Sequence, residues 1–264
     1  MEFKEVLSTI PRKITIIGLE TIPEVKPGDD IAKLILEAVQ RENIELDNGD
    51  IIVIAQKIIS KAENRFVDLN NVLASIEAFR LARILDKDPR LIELILKESS
   101  EVVKTERGHI IVITKHGITC ANAGIDASNV EGTEDMVLLL PEDPDASAEK
   151  IRQQILQLTG KKVGIIISDT YGRPLREGQI NMAIGASGVK IFKDYRGKPD
   201  MKGYILKVKN IAVAEELASA AELVMGQATE KIPVVIIKGL SELVTDEKVS
   251  ARSLNMPKEK WLFR

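Results

Sequence analysis

Residues 163–173 read Val163-Gly164-Ile165-Ile166-Ile167-Ser168-Asp169-Thr170-Tyr171-Gly172-Arg173. A β-branched run without alternation, ended by a polar and glycine-containing turn, is the pattern of a buried strand. The run Val163 to Ser168 therefore predicts a strand with a carboxylate and a hydroxyl, Asp169 and Thr170, at its carboxyl end. Open α/β sheets collect ligands at that end of their strands. An Asp in this place is equally a turn former or a helix cap.

Working outward, similar runs occur at Ile14 to Ile17, Ile51 to Ala55, His109 to Thr114 and Val234 to Ile237. Between them lie helical patterns at Ile31 to Arg41, Ser75 to Leu85, Leu91 to Glu98, Ala148 to Leu158 and Asn210 to Met225, with apolar residues at three- and four-residue intervals. Asp29-Asp30 and Asp145 to Ser147 offer side-chain oxygens to the free N–H groups of a first helical turn. The loose alternation predicts an α/β protein. The run at His109 continues through Lys115-His116-Gly117 into Ile118-Thr119-Cys120, which reads as a hairpin, so the sheet is expected to be mixed.

The chain has 264 residues with 37 Lys and Arg against 40 Asp and Glu. A near-neutral balance gives no electrostatic footprint for nucleic acid, and 3% aromatic residues leave few platforms for stacked bases. No apolar run approaches the ~20 residues of a membrane-spanning helix. One cysteine, Cys120, excludes an internal disulfide and cysteine-rich zinc sites. Met1 to Val6 carries no secretory pattern, which makes the cytoplasm the expected location. No internal repeat is evident, and residues 1–264 read as a single unit.

Neither common phosphate-cradling glycine motif occurs. His109 and His116 stand seven apart, on opposite faces of a straight strand, which disfavours a histidine-centred triad and leaves them as surface or turn residues. With few nitrogen and sulfur ligands available, a bound metal would be held by oxygen, selecting Mg²⁺ or Mn²⁺. Arg173, Arg176, Lys190 and Lys193, in a span holding Gly185 and Gly188, suggest a phosphate-facing loop or a solvated charged face. The stretch from Ala121 to Val130 sets Asn122, Asp126 and Asn129 among small residues, as either a ligand site or a turn. In a helix after Ile51 to Ala55, Lys57 and Lys61 would share one face, their repulsion offset by an anion or by solvent.

Taken in order along the chain, these marks resemble the coenzyme F420-0:L-glutamate ligase family. They are Ile58 to Glu63, Asn122 to Val130, Asp145 to Ile151, Ser168 to Arg173, Ala183 to Lys190 and Val224-Met225-Gly226. The resemblance implies an unusual two-lobed α/β fold, with closely joined lobes and an interlocked homodimer. It implies a ligase that adds L-glutamate to the coenzyme F420-0 precursor through a gamma-linked amide, using GTP as co-substrate with Mg²⁺ or Mn²⁺, and it admits a monovalent cation such as K⁺. Carried over by position, Asp126, Asp169, Thr170 and Gln227 would be metal ligands. Glu20, Thr21, Ile22, Pro23, Gln56, Lys57, Lys61 and Asn129 would contact GTP, as would Glu222, Leu223, Val224, Met225, Gly226, Gln227, Ala228 and Thr229. Gln227 departs from the family, some of whose members carry a glutamate there; its amide oxygen brings one negative charge fewer.

Amide formation through an acyl phosphate needs charge neutralisation and positioning rather than an enzyme nucleophile. The residues alone also suit a metal-dependent phosphohydrolase or nucleotidyltransferase, or a nucleotide-binding protein without turnover.

Overall fold

The computed structural model describes residues 13–126 and 135–262. In chain order the strands are β1 (Thr15–Gly18), β2 (Ile51–Ala55), β3 (Phe66–Asp68), β4 (Ser99–Glu106), β5 (His109–Thr114), β6 (Thr119–Ala121), β7 (Met136–Leu138), β8 (Gly164–Gly172), β9 (Gln179–Ser187), β10 (Lys193–Asp194), β11 (Asn210–Ile211) and β12 (Val234–Lys238). The α-helices are α1 (Ile31–Arg41), α2 (Gln56–Ala62), α3 (Ile76–Leu85), α4 (Pro89–Lys97), α5 (Pro144–Thr159) and α6 (Val213–Met225).

The main sheet has the order β1-β12-β2-β8-β9. It is mixed: β2 and β8 are parallel, and every other neighbouring pair is antiparallel. The central strands share unbroken apolar runs, at 51–54, 165–167 and 234–237, because both faces are covered there. Ile52, Ile54, Ile165, Ile167, Val234 and Ile236 point into a core closed by α1 and α5. Their neighbours Ile51, Val53, Ile166, Val235 and Ile237 point the other way, into a core closed by α6. Each fully buried aliphatic side chain contributes about 1.5–3 kcal/mol, so this two-sided burial outweighs any local preference of the run.

A second set of elements has its own core. The antiparallel sheet β4-β5-β6 packs Ile110 and Val112 against Leu81, Leu85, Ile92 and Ile95 of α3 and α4. The predicted turn at Lys115-His116-Gly117 does join two paired strands, β5 and β6. The short pair β3–β7 lies beside this set, through the small cluster of Leu69, Leu94 and Val137. Among the described residues, no helix is long and apolar enough to cross a membrane.

Three local readings need correction. The Asp30 carboxylate caps α1 by accepting from Lys33 N at 3.2 Å, as expected, but α5 is capped by Asp143, not by Asp145 to Ser147. The Asp145 carboxylate instead accepts from the backbone N–H groups of Ala186 and Ala251, tying α5 to β9 and the C-terminal region. The strand predicted to end at Ser168 runs on to Gly172, since pairing with β9 supplies hydrogen-bond partners for Asp169 to Gly172. The span holding Gly185 and Gly188 is not a single loop. Gly185 lies in β9 against the Pro144 backbone, and Lys190 and Lys193 follow the end of β9 opposite to Arg173.

Candidate functional site

At the carboxyl ends of the parallel pair, Ala55 of β2 lies beside Ser168 of β8. The chain leaves β2 directly into α2, placing Gln56 and Lys57 at the crevice. The β8–β9 pairing shifts register between Ile167 and Ser168, where Ile184 is the extra residue on β9. Such bulges re-aim the side chains that follow, and here those are Ser168, Asp169 and Thr170. The second set of elements brings in Asp126, whose backbone N–H and carbonyl both pair with Leu138.

The result is a cavity of about 970 Å³, lined among others by Gln56, Lys57, Asp126, Asp169, Thr170 and Gln227. Two carboxylates separated by 43 positions in the chain thus converge, with a hydroxyl and an amide. The Lys57 ammonium lies 2.6 Å from Asp126 Oδ2. Burial pushes the Asp169 carboxyl up to about 7; the Asp126 charge adds to the rise, while the Thr170 N–H and the Lys57 ammonium oppose it. Ser168 Oγ, also lining the cavity, is buried without a hydrogen-bond partner. Cys120 lines it as well. Burial and the Asp169 charge raise its thiol to about 12, so it stays protonated and is a poor nucleophile.

Thr170 and Gln227 are joined through a residue that motif reading missed. Gln227 Nε2 donates to Glu222 Oε1 at 2.8 Å and to Asn181 Oδ1 at 3.3 Å. Thr170 Oγ1 lies 3.1 Å from Gln227 Oε1 and 3.2 Å from Asn181 Oδ1. Glu222 Oε2 in turn accepts from the Asn181 backbone N–H at 2.8 Å. The Glu222 carboxylate is the acceptor in this contact, so the amide has its nitrogen toward Glu222 and Asn181 and its oxygen toward Thr170. Gly226, at φ +66, ends α6 and turns the chain so that Gln227 can reach back. The available signal for Asn181 was a polar residue inside the apolar run Ile180 to Ile184.

Met225, Gly226 and Ala228 also line the cavity, whereas Glu20, Thr21, Ile22, Pro23, Lys61, Leu223, Val224 and Thr229 do not. Thr21 is tied to α1 through Glu42 Oε1, Lys61 pairs with Glu24, and Leu223 is exposed. Asn129 lies outside the described residues. Carboxylates answer the expected repulsion between Lys57 and Lys61: Asp126 pairs with one lysine and Glu24 with the other. Of the histidines, His109 lines the cavity, while His116 is buried in its turn, with Nε2 3.0 Å from Glu142 O.

The donors fit a hard divalent cation. Asp126, Asp169, Thr170 and Gln227 present oxygen only. Among the described residues, no group of three or more His, Cys, Asp or Glu side chains could hold a metal alone. Mg²⁺ takes one or two carboxylates and completes its shell with water and substrate phosphate, which suits a two-carboxylate site.

The F420-0:gamma-glutamyl ligase family model matches residues 20–239. The coenzyme F420:L-glutamate ligase of Methanothermobacter thermautotrophicus is 46% identical over 253 residues, covering 95% of this chain and 99% of its own. The Methanocaldococcus jannaschii ligase of the same name is 46% identical over 253 residues, covering 96% and 98%. The Methanopyrus kandleri one is 46% identical over 227 residues, covering 85% and 87%.

Proposed function

The chain belongs to the F420-0:gamma-glutamyl ligase family, and from that premise we propose that it joins L-glutamate to the coenzyme F420-0 precursor by a gamma-linked amide, at the expense of GTP. The observation that carries the reading is the convergence of Asp126 and Asp169 with Lys57, Thr170 and Gln227 in one cavity. Family membership favours amide formation over the phosphohydrolase and nucleotidyltransferase alternatives, which use the same carboxylates.

In the proposed reaction a precursor carboxylate oxygen attacks the γ-phosphorus of GTP. An O–P bond forms, the bond to the β-phosphate breaks, and GDP leaves. The glutamate amine then attacks the acyl carbon, expelling phosphate and giving up a proton. Asp126, Asp169, Thr170 and Gln227 would hold Mg²⁺ or Mn²⁺. The chemistry such an ion would supply there is neutralisation of the charge that builds on the transferred phosphoryl group. Lys57 adds positive charge beside the carboxylates, and Glu222 with Asn181 keeps the Gln227 oxygen turned toward Thr170.

Purified protein given GTP, Mn²⁺, L-glutamate and the precursor should release GDP and raise the precursor mass by one or more glutamyl units. ¹⁸O in the precursor carboxylate should appear in the released phosphate. Phosphate release at the same rate without glutamate would instead favour the hydrolase. We also place the enzyme in the cytoplasm as a homodimer. The exposed apolar residues Leu73, Ile76 and Phe79 at and beside the start of α3 support self-association, and sedimentation equilibrium tests it.

A further inference from the structure

Part of the cavity is left unused by the proposed nucleotide and cation contacts. In the sheet order β12-β2-β8-β9, Gln56 and Lys57 follow β2, and Met225 to Ala228 sit in the connection leading to β12. The cavity is also lined by Tyr171 and Arg173, by His109 and Ile111 of β5, and by Cys120. Of these, Arg173 carries a fixed positive charge.

Arg173 is held by its own hairpin. Its Nη2 donates to Glu177 O at 2.6 Å and its Nε to Gly178 O at 3.4 Å. Both acceptors are neutral carbonyls. Among the described residues, no carboxylate forms an ion pair with this guanidinium. Two of its five N–H groups are committed and three remain, on a fork whose geometry matches a carboxylate or phosphate. Arg173 follows Asp169 by four residues, so their backbones are at most roughly 13 Å apart along an extended strand. An anion held by Arg173 would stand about one small substrate's length from the paired carboxylates. The carboxylates themselves repel any anionic substrate, and a fixed cation at this distance offsets that repulsion.

We propose that Arg173 anchors an oxyanion of the non-nucleotide substrates, a carboxylate or a phosphodiester, in the part of the cavity toward the β8–β9 hairpin. This rests on the ligase reading, and it assigns Arg173 to the acid or amine substrate rather than to GTP. The anion belongs either to the acid that is amidated or to glutamate.

The test compares wild type with Arg173→Met, which keeps the chain length and removes the charge, and Arg173→Lys, which keeps the charge and removes the fork. GDP release gives separate KM values for GTP, the precursor and glutamate, and equilibrium dialysis measures precursor binding without turnover. Arg173→Met should raise KM for the precursor or for glutamate at least tenfold, with KM for GTP within twofold and an unchanged thermal midpoint. Arg173→Lys should fall between. A rise confined to the precursor, matched by dialysis, identifies its phosphodiester or carboxylate as the anchored group; a rise confined to glutamate identifies a glutamate carboxylate. A rise in KM for GTP alone, a fall in kcat with all KM values unchanged, or no effect overturns the assignment. Wild-type protein that forms no amide overturns the ligase reading itself, and this assignment with it.

Discussion

The Lys57 ammonium and the Asp126 carboxylate meet at 2.6 Å, a contact that ties the start of α2, beside the main sheet, to the second set of elements. Each side chain keeps some solvent exposure, at 28% for Lys57 and 20% for Asp126. A pair of this kind adds at most about 1 kcal/mol to stability, so its main value is the placing of charge beside Asp169. Asp126→Asn should lower the ligase rate by about 10²–10³, the size expected when one preorganised electrostatic group is lost, and hardly move the thermal midpoint. Steady-state kinetics and thermal unfolding of one preparation check both halves. A rate within threefold of wild type would remove Asp126 from the site.

Asn181 should matter through Gln227. Its side-chain oxygen and the Glu222 carboxylate hold the Gln227 amide nitrogen, leaving the amide oxygen toward Thr170. If Gln227 holds the cation as proposed, Asn181→Ala should weaken Mn²⁺ binding by about 10–100-fold, the usual cost of losing a partner behind a metal ligand. With Gln227→Glu as background, both side-chain oxygens are alike and the orienting role disappears, so the loss should shrink. Calorimetric Mn²⁺ titrations of the four proteins complete the cycle. Equal losses in both backgrounds would show that Asn181 acts in another way.

Gly185 tests the packing of α5 on β9. A Cβ there would stand 2.5 Å from the carbonyl carbon and oxygen of Pro144, and backbone cannot yield as a flexible side chain can. Gly185→Ala should destabilise by about 1–3 kcal/mol, the usual cost of overpacking, and lower the melting midpoint by roughly 2–4 °C per kcal/mol. Gly172→Ala is the contrast, since nothing lies within 4 Å of its added methyl; its midpoint should stay close to that of wild type.

Glu149 gives the pH dependence. Arg152, with help from Ser187 and Gln153, holds its carboxyl at about 2, below its ordinary value of 4.5. A carboxyl held low contributes stability above its unfolded value and loses it as pH falls through the folded one. The contribution should therefore be intact at pH 6 and vanish between about pH 4.5 and 2. The side chain is 46% exposed, which limits the effect to under about 1 kcal/mol. Urea unfolding across that range should show a shallower acid loss for Glu149→Gln than for wild type. Parallel curves would exclude the interaction.

Local sequence determined the elements whose causes are local. The runs Ile51 to Ala55 and Val163 to Ser168 are strands because only burial on both faces suits unbroken β-branched residues, and Asp30 caps α1 because its acceptor lies three residues from the N–H it serves. The hairpin at Lys115 to Gly117 was legible too, but it lies in the separate antiparallel sheet; the main sheet is mixed because β12 and β9 pair antiparallel with the parallel strands β2 and β8. Tertiary structure alone decided the rest: that β8 continues to Gly172, that Asp145 braces β9 instead of capping α5, that Lys57 faces Asp126, and that Asn181 holds Gln227. The last three depend on partners tens of residues away in sequence, and the first on pairing with β9 across the hairpin. Periodicity and capping report the cost of ordering a short segment, whereas the meeting of Asp126 with Asp169 is set by strand order and register, where the burial of two separate cores outweighs local preference.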